Sequence, residues 1–116
     1  MTAKEREKLQ KEGIKTLTCI HALGDNVGSA FTEKHGGVTA EEIVRETLYR
    51  FSQGMKVAVE VSLMVADAGL IPVDREVIAI AGTGEGADMA IVLQPAYTRK
   101  FHELKIKEII AKPREP

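Results

Sequence analysis

A chain of 116 residues with 44% apolar but only 4% aromatic content is about one domain, whose core must be filled by Val, Ile, Leu and Ala. Sixteen basic residues against seventeen acidic ones leave a formal charge of −1, which argues against a nucleic-acid partner, since that needs a clustered basic surface. The single Cys19 excludes an internal disulfide, no apolar run approaches the ~18 residues of a membrane span, and residues 2–13 lack the apolar stretch of a secretory signal; a cytoplasmic protein is expected.

Thr2-Ala3-Lys4-Glu5 has capping-box spacing, in which hydroxyl and carboxylate each satisfy a free amide of a first helical turn. The helix this predicts runs to Glu12 and stops at Gly13; with only Ala3 and Leu9 apolar it has little face to bury and should be peripheral. Ile14 to Ile20 alternates and is rich in β-branched residues, which predicts a strand. From His21 to Gly37 the pattern lapses into glycines and turn residues, notably Asp25-Asn26 and Gly36-Gly37. A loop of this length is either a surface excursion or a functional segment.

Thr39 and Glu42 form a second capping box, with Val38 and Ile43 placed for a hydrophobic staple. The helix that follows sets Ile43, Val44, Thr47, Leu48 and Phe51 on one face and ends at Gln53-Gly54. Met55 to Leu70 alternates as a strand would, but its length favours a helix, and Gly69 before Ile71-Pro72 fits a glycine cap followed by a proline stop. Apolar nearly all round, this helix must be buried between a sheet and something else, such as another subunit.

Val77 to Ala81 is a short run without charge, suited to a strand covered on both faces. Gly82, Gly84 and Gly86 then interrupt it, and Met89 to Leu93 forms a second apolar run ended by Pro95. So short a connection leaves no room for a helical crossover, so the two strands should be antiparallel neighbours; the same shortness counts against a dinucleotide-binding fingerprint. Leu104 to Ala111 predicts a closing edge strand whose lysines discourage stray pairing. The expected order is therefore helix, strand, two helices and three strands.

The segments GIKTLTCIHAL, HGGVTAEEIVRETL, QGMKVAVEVSLMVADAGLIP, EVIAIAGTGEGADMAIVLQPA and IKEIIAKPRE, in this order, resemble a family of small proteins similar to the C-terminal α/β domain of pyruvate kinase. The resemblance spans nearly all of residues 1–116, taken as one domain, and implies a three-layer α/β/α sandwich with a mixed, mostly parallel sheet and one antiparallel strand near the C-terminus. Similar members begin with further strands and a Ser/Thr/Gly phosphate-binding turn ahead of the position of Thr2, so this chain is expected to be an N-terminally incomplete domain. The resemblance implies no pyruvate kinase activity, which resides in a separate barrel domain. It implies instead subunit contacts, a phosphorylated ligand such as a phosphosugar, and flavin mononucleotide as a possible occupant of the cleft.

The ligand-binding candidates are His21, which follows a strand directly, Ser29 on the long loop, and Thr83, Gly84 and Gly86, with hydroxyl and amide donors. Against them stand plainer readings: a structural histidine, and a tight strand connection in which Glu85 and Asp88 would repel phosphate. Lys56 and Glu60 are four apart in the less favourable order for a helix pair, so burial against the cleft would have to explain them. His35, His102 and Cys19 show no metal-ligand spacing, and no nucleophile elbow or Walker loop is present. Three functions fit: a non-catalytic binding or regulatory module in an oligomer, a flavin-dependent enzyme using the same cleft, or an assembly subunit whose companion chain supplies the absent strands.

Overall fold

Thr2 caps the first helix as its spacing predicts. In the computed structural model, which describes residues 1–115, the Glu5 amide donates to Thr2 Oγ1 (3.1 Å) and the Thr2 amide to Glu5 Oε2 (2.8 Å). Helix α1 (Ala3–Lys11) buries no residue, as its sparse apolar content requires, and closes at Gly13 with φ +80°.

Ile14 to Ile20 is not a strand; it carries no regular secondary structure and Ile14, Leu17 and Ile20 are exposed. Strand propensity expresses a fit to a pleated neighbour, and no described strand pairs with this segment. It runs instead along the fourth helix, tied at one end by Lys15 Nζ donating to the Leu70 carbonyl (3.2 Å). The expected loop after it contains helix α2 (Val27–His35), capped by Asn26 Oδ1, which accepts from the amides of Gly28 (3.1 Å) and Ser29 (3.4 Å), and ended by Gly36. Asn26 and Gly36 are thus helix boundaries rather than loop turns.

Helix α3 (Ala40–Tyr49) begins where expected, with Thr39 Oγ1 accepting from the Glu42 amide (3.3 Å). Val38 and Ile43, the two residues of the expected staple, are both exposed. Helix α4 (Gln53–Asp67) bears out the length argument: Ser52 Oγ accepts from the Met55 amide (2.9 Å), and Gly69 at φ +74° closes the far end as Leu70 N donates to Val65 O (2.9 Å) and Gly69 N to Ala66 O (3.0 Å).

Strands β1 (Val77–Ala81), β2 (Met89–Gln94) and β3 (Lys105–Ala111) form one sheet in the order β1-β2-β3, with a 3₁₀ helix (Thr98–Glu103) between the last two. The β1–β2 hairpin is antiparallel, as the short glycine connection requires, with Ala79 opposite Ile91. The coarse α/β class holds, but the expected mostly parallel sheet does not: the β2–β3 pairing is antiparallel as well. Two bulges interrupt that second ladder, so Ile106 and Ile109 stand opposite Leu93 and Ile91 in place of the regular alternation.

Met55, Ala58, Val59 and Leu63 of α4 pack on Met89, Ile91 and Leu93 of β2, with Val77, Ala79 and Ala81 beside them. Helix α3 packs against α4 in turn. Gly54 lets the start of α4 lie close to the hairpin, since a Cβ there would sit 2.8 Å from Met89 Cβ and 3.3 Å from the Ala81 carbonyl oxygen. Only one face of β1 is covered, contrary to its uncharged sequence: Ile78 and Ile80 point the other way and are 61% and 65% exposed. The strand's alternation gives α4 three side chains and leaves the intervening isoleucines without a layer over them.

Candidate functional site

Lys56 and Glu60 lie one helical turn apart on α4, so their side chains share a face, and that face meets residues 21–23. Glu60 is fully buried, yet both carboxylate oxygens are occupied. Oε1 accepts from Lys56 Nζ (2.8 Å) and from His21 Nδ1 (2.9 Å), while Oε2 accepts from the Leu23 amide (2.9 Å). Burial pushes the Glu60 pKa upward, but hydrogen bonds from Lys56, His21 and the Leu23 amide, with the Lys56 charge, outweigh it and hold the carboxyl below its ordinary value. Glu60 is therefore a fixed anion. Its partners consume its accepting capacity, which makes it an anchor rather than a free general base.

His21 is what this anchor presents. With Nδ1 facing a carboxylate oxygen, the ring proton sits on Nδ1, and the half-exposed ring turns Nε2 outward as an acceptor. A cavity of about 410 Å³ opens beside the ring, lined by Leu17, Cys19, His21, Met64, Asp67 and Thr98 among others. A second, of about 250 Å³, lies behind it between Leu23, Val44, Leu63 and Phe101. Ala22 borders both. Nearby hydroxyls are already engaged: Ser62 Oγ donates to the Val59 carbonyl (2.6 Å), and Thr98 Oγ1 donates to Asp67 Oδ2 (2.7 Å). This arrangement can accept a hydrogen bond or a proton and can bind; Cys19, a free and exposed thiol, lies on the same wall.

Of the remaining candidates, Ser29 lies in the first turn of α2 with its amide taken by Asn26, and it is absent from the walls of the His21 cavity. Thr83, Gly84 and Gly86 occupy the exposed tip of the β1–β2 hairpin. The glycines there answer to the turn: Gly84 and Gly86 have φ of +76° and +74°, and a Cβ on Gly82 would fall 1.9 Å from the Gly86 carbonyl oxygen. The hairpin base abuts Gly54, close in sequence to Lys56, but its tip shares no wall with the His21 cavity. Of these candidates, His21 alone lines this cavity. Leu23 is a partner the sequence reading missed, because its part is played by a backbone amide, which leaves no trace in residue type. Lys56–Glu60 was visible from spacing; the link to His21 was not, since the two residues stand 39 apart. No protein-family model matches this chain.

Proposed function

We propose that this chain is a non-catalytic, pyruvate-kinase-C-terminal-like α/β module that binds a small phosphorylated molecule against His21. The observation that carries the reading is the buried Glu60 anchor, which fixes the histidine tautomer and ring at the mouth of a cavity. The Glu60 carboxylate holds the ring through Nδ1, which leaves Nε2 to meet a phosphate group at the cavity mouth. Thermal-shift titration with glucose 6-phosphate and flavin mononucleotide tests it. A saturable rise in melting temperature, lost in His21→Asn, supports the reading; no rise with either compound, or an undiminished one in the variant, refutes it. Flavin absorbance in the purified protein would move the reading to a flavin-dependent activity of the same cavity.

A second reading, membership of an oligomer or of an assembly with a companion chain, is favoured by the bare sheet face. Ile78 and Ile80 are exposed on one face of β1, and Ile14, Leu17 and Ile20 are exposed on the unpaired segment 14–20. A third layer, completing a sandwich, would then come from the partner. Light scattering on the eluting protein decides it: a mass above one chain supports the reading, and a monomer at all accessible concentrations refutes it.

A further inference from the structure

A larger cavity, about 650 Å³, lies between the 3₁₀ helix and β3, and shares no wall residue with the cavity beside His21. Its lining includes Lys100, Lys105, Lys107, His102, Tyr97 and a single acid, Glu103. Three ammonium groups against one carboxylate give this concavity a positive excess, although the chain carries a formal −1. None of the three lysines forms a salt bridge among the described residues; the lysine that does is Lys56.

The walls are held at two points. Asp67, at the end of α4, accepts from the Thr98 amide (2.9 Å) and from Thr98 Oγ1 (2.7 Å), which pins the start of the 3₁₀ helix. Gln94 Nε2 donates to the Val73 carbonyl, joining the end of β2 to the residues before β1, and Ala96 is buried beneath. On β3 the ladder steps from Leu93 opposite Ile106 to Val92 opposite Glu108, so Lys107 is the extra residue of a bulge, and it lines the cavity together with Lys105. Lysines on an edge strand serve by themselves to discourage self-pairing. That role accounts for Lys105 and Lys107 but not for Lys100, His102 and Tyr97 converging on them from a separate, anchored element.

We propose that this cavity is a binding site for a small organic polyanion, with its charged groups on Lys100, Lys105 and Lys107 and its organic part against Tyr97 and Val73. The tyrosine is 44% exposed, which leaves its ring free to be covered. Phosphate and carboxylate satisfy the lysines by the same chemistry, so the probes separate them: inorganic pyrophosphate, citrate and adenosine 5′-monophosphate, each titrated calorimetrically into the full chain at low ionic strength.

Saturable binding of at least one probe is expected. It should fall roughly a hundredfold in the double variant Lys105→Gln/Lys107→Gln, about one charge-assisted hydrogen bond for each lysine, and stay unchanged in Lys8→Gln on α1. Pyrophosphate binding tighter than citrate assigns phosphate; adenosine monophosphate binding tighter still assigns a ring on Tyr97; equal affinities assign charge alone, and each supports a polyanion site. A melting temperature of the double variant matching the parent shows that its fold is intact. No saturable heat from any probe, or heat that the double variant retains, overturns the proposal. Binding that survives in the double variant but is lost in His21→Asn places the anion in the other cavity, overturning this inference while leaving the function proposed above in force.

Discussion

Replacing Glu60 by glutamine keeps the shape of the side chain and removes its charge. Lys56 Nζ, 2.8 Å away on a side chain only 11% exposed, then loses its counter-ion where water can hardly replace it. Breaking such a buried pair from one side costs about 3–5 kcal/mol. The His21 arm adds little, because that side chain is 55% exposed and recovers a water partner, so the low end, about 3 kcal/mol, is expected. A domain of this length has about 6–17 kcal/mol in total, and each kcal/mol moves the midpoint by roughly 4 °C, so Glu60→Gln should melt about 12 °C lower. Urea titration and calorimetry measure this. Lys56→Met/Glu60→Leu should recover much of the loss by removing both charges, short of the hydrogen bond forfeited by the Leu23 amide, worth about 1–3 kcal/mol. A loss below about 1 kcal/mol in Glu60→Gln, or a double variant worse than the single one, would refute the account of a paired, desolvated anion.

The acid limb of stability should carry the same signature. Glu60 has a lowered folded pKa, so the unfolded chain binds more protons between the two values; the Glu60 contribution is complete above the ordinary value of 4.5 and is lost as pH falls from there through the folded pKa. Glu60→Gln should therefore show a shallower decline below that pH in urea midpoints measured across the range. In the hairpin, Gly82→Ala must displace the Gly86 carbonyl, while Gly84→Ala meets open space and bears only the strain of φ +76°; the first should cost about 2–3 kcal/mol and the second about 1, by thermal melting. Asn26→Ala should loosen α2 by about 1 kcal/mol of local stability, visible as faster amide exchange at Gly28 and Ser29. Ile78→Lys/Ile80→Lys should leave monomer stability within about 0.5 kcal/mol and, if the bare face is an interface, reduce the mass measured by light scattering to one chain.

What was legible in the sequence was whatever depends on neighbours along the chain. Thr2 and Thr39 announce their helices because a cap acts on residues three positions on, and Gly69 marks the end of α4 for the same reason. The glycine connection declares an antiparallel hairpin because its shortness permits nothing else. Helix α2 was hidden because Val27 and Phe31 are exposed and supply no buried periodicity; only its caps mark it, and Asn and Gly mark turns equally well. Ile14–Ile20 misleads for the opposite reason, since its composition describes a strand but a strand exists only against a partner. The candidate site divides in the same way: Lys56–Glu60 is a matter of helical spacing, whereas His21 and Leu23 reach Glu60 through the fold, and the lysine-lined cavity depends on how the 3₁₀ helix sits against β3.

Residues 14–23 form a strap fastened at two points, with Lys15 on the Leu70 carbonyl just past α4 at one end and His21 with Leu23 on Glu60 of α4 at the other. The first fastening is an exposed lysine and yields readily to water; the second closes on a carboxylate buried inside the protein. Glu60 is therefore the point at which the leading part of the chain is buckled to the body of the fold, and its loss should show as faster amide exchange at Leu23.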